Sequence, residues 1–92
     1  MSDDVPSSAL NETYSIESDF RGETIYYIEP ARKVSISWTW TNGYRIYASS
    51  IERWENADGA STPVTDDQRK QIIERVVTYA RVRQHVTMIV EP

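Results

Sequence analysis

The chain has no cysteine among its 92 residues, which excludes disulfide staples, thiolate metal ligands and thiol nucleophiles. It has a single histidine, His85, too few for the histidine and cysteine sets that hold zinc. Its three glycines, Gly22, Gly43 and Gly59, are far apart, so no glycine-rich loop cradles a phosphate. No apolar run approaches the roughly 20 residues that cross a bilayer. The first nine residues carry neither the basic region nor the apolar stretch of a signal peptide. A chain in the reducing cytoplasm, without metal or cofactor, is the expectation these absences support.

Basic residues are scarce at the start. Residues 1–29 hold seven acids and one base, a local charge of −6, whereas residues 30–92 hold nine bases and seven acids, a local charge of +2. The net charge of −4 argues against general nucleic-acid binding, because phosphates repel it at long range. It suits a basic protein partner.

What is present is an alternation of apolar residues. Residues 1–12 are polar and acidic with no periodicity, and are expected to form a disordered acidic tail. Residues 13–92 are expected to form a single α+β domain. Residues 14–18 form a short candidate strand, with a turn at Phe20-Arg21-Gly22. Residues 24–29 (Thr, Ile, Tyr, Tyr, Ile, Glu) are apolar on both faces, the mark of a central strand. Residues 33–40 alternate Val34, Ile36, Trp38 and Trp40 with polar neighbours, the pattern of a sheet wet on one side.

Thr41-Asn42-Gly43 then turns the chain into a second arm, residues 44–49. A two-residue Asn42-Gly43 loop would set Trp40 opposite Arg45 and leave Ile46 on the polar face. A three-residue loop pairs Trp40 with Tyr44 and Trp38 with Ile46, and gathers the apolar residues on one side. A one-residue slip flips a whole strand, so the apolar pattern favours the three-residue loop. Ile51 is out of phase, so this strand should end or bulge near Ser49-Ser50. Residues 52–64 are rich in turn formers and read as a surface loop.

Thr65 and Gln68 form a capping box that opens a helix. Asp66 and Asp67 lie at its positive end, with Arg81 and Arg83 at its negative end. Ile72, Ile73, Val76, Val77 and Ala80 make one apolar stripe, edged by Tyr79. Val86, Met88 and Val90 alternate in a last strand. The expected fold is therefore an antiparallel β-meander of about four strands, one C-terminal amphipathic helix packed on the sheet, and a final strand.

Catalytic chemistry finds little support. His85 lies just past the helix, where a cation meets the dipole, and a pairing with Ser49 or Ser50 has no motif behind it. Glu52 and Glu55 are near in sequence, but nothing marks a cleft around them. No catalytic and no metal-binding residue is assigned, and the chain is not expected to be an enzyme. The aromatics are the unusual feature. Trp38 reads as core, while Trp40 and Tyr44 flank the hairpin tip and Trp54 borders a loop. With Arg45 beside them, Trp40, Tyr44 and Trp54 are the candidate partner contacts, expected to be at least partly exposed, since Trp, Tyr and Arg dominate binding hot spots.

The layout of residues 14–92 resembles that of small bacterial immunity proteins of polymorphic toxin systems, and that of related uncharacterised families. The carriers are the β-meander, the Ile-x-x-Trp step at Ile51-Glu52-Arg53-Trp54, the loop, the capped helix Thr-Asp-Asp-x-Arg-x-x-Ile-Ile over residues 65–73, and the last strand. That resemblance implies a protein that binds and neutralises a toxin and has no catalytic residues. The alternatives are a self-associating structural domain, in which an exposed sheet edge or face forms a homodimer, and then a small enzyme.

Overall fold

A computed structural model describes residues 10–19 and 24–92. The expected turn at residues 20–22, and residues 1–9 of the expected tail, lie outside the described residues. The elements run β1 (Ser15–Asp19), β2 (Thr24–Glu29), β3 (Arg32–Trp40), β4 (Tyr44–Tyr47), a 3-10 turn (Ala48–Ser50), β5 (Arg53–Asn56), β6 (Ser61–Pro63), α1 (Asp66–Arg83) and β7 (Met88–Glu91). The main sheet is ordered β1-β2-β3-β4-β7, with α1 packed on one face. The first four strands are an antiparallel meander, and β7 joins parallel to β4. This is the α+β architecture that the sequence predicts.

The hairpin takes the three-residue loop. Trp38 pairs with Ile46, Thr39 with Arg45 and Trp40 with Tyr44. Asn42 and Gly43 have φ of +54° and +125°, a combination that the short asparagine side chain and glycine tolerate. Thr41 N–H donates to the Gly43 carbonyl. The 3-10 turn then ends the arm where Ile51 falls out of phase, and Ile51 is fully buried.

The expected surface loop at 52–64 is corrected: it is a second hairpin, β5 with β6. Arg53 pairs with Pro63, Trp54 with Thr62 and Glu55 with Ser61. The Asn, Asp and Gly residues that suggested a loop build its turn, where Ala60 N–H donates to Asp58 Oδ1 and Gly59 takes φ of +91°. β5 lies along the first half of β3 (Arg32 with Asn56, Lys33 with Glu55) and β4 along the second half. One long strand thus carries two neighbours on the same side.

α1 begins with the expected capping box: Thr65 Oγ1 accepts from Gln68 N–H, and Gln68 Oε1 accepts from Thr65 N–H. Its buried face is Gln68, Ile72, Val76 and Ala80, with Ile73, Val77 and Tyr79 half-buried. These pack on Ile16, Ile25, Tyr27, Val34, Ile36, Trp38 and Ile46. His85 ends the helix with φ of +58°, and Val86 N–H returns to the Ala80 carbonyl.

Candidate partner-binding surface

The four candidate contacts are Trp40, Tyr44, Arg45 and Trp54. Trp40 closes β3 on the same side as Val34, Ile36 and Trp38. Its predecessors are buried, but Trp40 is 62% exposed. Beside it, half-buried Tyr44 stacks on Trp38 with ring centroids 5.7 Å apart. Tyr44 also pairs with Met88 of β7. Trp40, Tyr44 and Met88 therefore form one row across three strands, on the face that holds α1.

Arg45 lies on the other face. Its Nε donates to the Thr41 carbonyl at 2.7 Å, and its Nη1 pairs with the Glu91 carboxylate. These contacts tie the tip to β7 and leave Arg45 half-buried.

Trp54 does not join them. It is 1% exposed, which corrects the expectation that it is a partly exposed contact. Its Nε1 donates to Gln68 Oε1 at 3.0 Å, and the Arg32 guanidinium lies 3.9 Å over its ring. The Ile-x-x-Trp step thus inserts both apolar residues into the core, Ile51 and Trp54 alike.

Sequence reasoning missed two features. The first is a polar cluster between β2, β3 and α1. Glu29 is buried, and its Oε1 accepts from Arg32 Nε at 2.8 Å. Its Oε2 accepts from Tyr27 Oη at 2.8 Å and from Asn11 N–H at 3.0 Å. Arg75 Nη1 donates to Tyr27 Oη at 2.6 Å and to the Asn11 carbonyl at 2.8 Å, with its guanidinium over the Tyr14 ring. Burial, reinforced by the neighbouring Glu29, pushes the Tyr27 hydroxyl well above the ordinary tyrosine range, against the opposing pull of Arg75. The hydroxyl therefore stays protonated and acts as a structural link. The cluster also docks the end of the expected tail: Leu10 packs against the core and Asn11 is held on both its N–H and its carbonyl.

The second missed feature is at β7. Ile89 is 38% and Val90 47% exposed, on a strand that pairs with β4 alone among the described residues. The sequence shows an alternating strand here, and periodicity does not say which strands become edges.

The candidate serine and histidine groups are not brought together by hydrogen bonding. Ser49 Oγ donates to the Pro92 carbonyl and Ser50 Oγ to the Tyr47 carbonyl. Among the described residues no group of three or more His, Asp or Glu side chains is placed to hold a metal ion. An open groove of about 480 Å³ runs between β1 and α1, past Tyr14, Arg75, Tyr79 and Val82. No described helix is long and apolar enough to cross a membrane. Compared with protein-family models, curated proteins and solved structures, the chain matches none of them.

Proposed function

We propose that this chain is a protein-binding module whose anchor is Trp40 at the tip of the β3–β4 hairpin. The observation that carries this reading is the exposure of Trp40 beside the Trp38–Tyr44 stack. A tryptophan ring held out by a braced turn loses little conformational freedom on binding, and covering its exposed part contributes about 3 kcal/mol. Tyr44 supplies the adjoining apolar surface, while Arg45, on the other face, braces the turn through the Thr41 carbonyl and Glu91. The net charge of −4 favours a basic partner, drawn by long-range attraction that salt weakens. If the resemblance to immunity proteins holds, that partner is a toxin, and the acidic charge of the chain suits a basic one.

The test is affinity. A protein captured from the source cells on immobilised chain is purified and titrated calorimetrically against wild type and Trp40→Ala. Truncation of the anchor is expected to weaken binding by about 30-fold, equivalent to about 2 kcal/mol. Equal affinity, with both proteins folded by circular dichroism, would reject Trp40 as the anchor.

A further inference from the structure

The edge of β7 has a character that the Trp40 reading does not use. Its successive residues Met88, Ile89 and Val90 are uncharged and partly exposed. Its one charged residue, Glu91, already pairs with Arg45 inside the same chain, so a strand laid along this edge would bury no unmatched charge. An open, apolar edge of this kind is a template for another strand.

We infer that the strand it accepts is β7 of a second copy, in antiparallel alignment about a two-fold axis. The other edges do not offer this pairing. β1 carries the exposed charge of Glu17 in mid-strand, the kind of edge residue that blunts addition of a further strand. β6 is three residues long and ends in Pro63, which has no N–H to donate. A two-fold pair at β7 therefore uses up the apolar edge of both copies and leaves charged β1 strands at the outside. Assembly stops at two rather than growing into a fibre.

The register follows from the faces. Directly opposed residues of antiparallel strands point to the same side, so a two-fold axis normal to the sheet must pass through one residue position. Centring on Ile89 sets Ile89 against Ile89 on the face of Arg45, and Met88 against Val90 on the face of α1. Centring on Met88 would set Val90 against Val86, and centring on Val90 would set Met88 against Pro92, each outside the strand. Trp40 lies two strands away, in the row of Tyr44 and Met88, and stays open in the dimer.

The chain has no cysteine, so single cysteines report the register directly. Under mild oxidation Ile89→Cys should form an intermolecular disulfide faster than Met88→Cys or Val90→Cys alone. A mixture of Met88→Cys with Val90→Cys should again link quickly. In sedimentation velocity the wild-type chain should be a dimer at high micromolar concentration. Val90→Lys, shown to be folded by circular dichroism, should be a monomer, and Trp40→Ala should remain a dimer. A monomeric wild type, or three single cysteines that link at equal rates, would overturn the β7 pairing while leaving the Trp40 titration to decide partner binding separately. Loss of the dimer in Trp40→Ala would place the interface at the hairpin tip and overturn it also.

Discussion

The two ends of the main sheet are finished in different ways. At the β1 end, the preceding segment is strapped down: Leu10 packs against the core, Asn11 is held by Glu29 and Arg75, and Tyr14 stacks on Tyr27 at 5.4 Å. At the β7 end there is the ladder to β4 and one half-exposed ion pair, Arg45 with Glu91. Both ends use an Arg–Glu pair, but Glu29 is buried with three donors and Glu91 is not. The contrast teaches that the same pair of residue types is a structural tie where water is excluded and a minor contact where it is not.

The largest expected effect separates these two carboxylates. Glu29→Ala strips the partner from Tyr27 Oη, Asn11 N–H and Arg32 together, and should cost about 3 kcal/mol or more. Glu91→Ala should cost under about 1 kcal/mol, because both partners of its pair reach solvent. Urea midpoints measure the two, and similar losses would erase the distinction between the ends. A smaller loss is expected from removing residues 1–11. The polar composition of residues 1–12 reads as a disordered tail, but Leu10 and Asn11 are in place against the domain. Their loss should cost about 1–2 kcal/mol, read as a lower melting temperature, and no change would show the strap to be idle.

The smallest effect is in pH. The Tyr27 hydroxyl is raised in the folded chain, so its contribution is complete below the unfolded value of about 10 and is lost as pH climbs through the folded value. Stability of the wild type should therefore be steady through neutral pH with respect to this group and fall in alkali. Tyr27→Phe should flatten part of that alkaline decline, at the expense of the link between Arg75 and Glu29. Parallel declines in the two proteins, followed by denaturation at several alkaline pH values, would assign the effect to other groups.

The parts of this fold that were legible in the sequence are those where periodicity meets a local signal. The hairpin register followed from Val34, Ile36, Trp38 and Trp40 facing Tyr44 and Ile46, because a slip would have exposed Ile46. The capping box followed from Thr65 and Gln68 three positions apart. The second hairpin was not legible: Trp54 is the only large apolar residue in β5, and Asn56, Asp58 and Gly59 carry the usual composition of a loop. Its buried place depends on Gln68, fourteen positions on, whose local role gives no hint of a second partner. Among the candidate contacts, exposed Trp40 followed from its place at a turn, and Trp54 failed for this reason. The Glu29 cluster left one trace, a carboxylate in phase with Ile25 and Tyr27, although the cation that meets Tyr27 comes from Arg75, 46 positions beyond Glu29.

The parallel alignment of β7 with β4 also sets an order of events in time. The β3–β4 hairpin closes over Thr41, Asn42 and Gly43 alone, whereas Tyr44 meets Met88 only after 44 positions of chain have been drawn together. That longer closure costs about 2 kcal/mol more in chain entropy, so the meander is expected to assemble first and the last strand to dock on a nearly finished sheet. Until it arrives, Tyr44 and Ile46 are the outermost residues at that end. Val90→Ala is therefore expected to speed unfolding more than it slows folding, as a chevron of rates against urea would show, and equal changes in both limbs would place β7 in the folding nucleus.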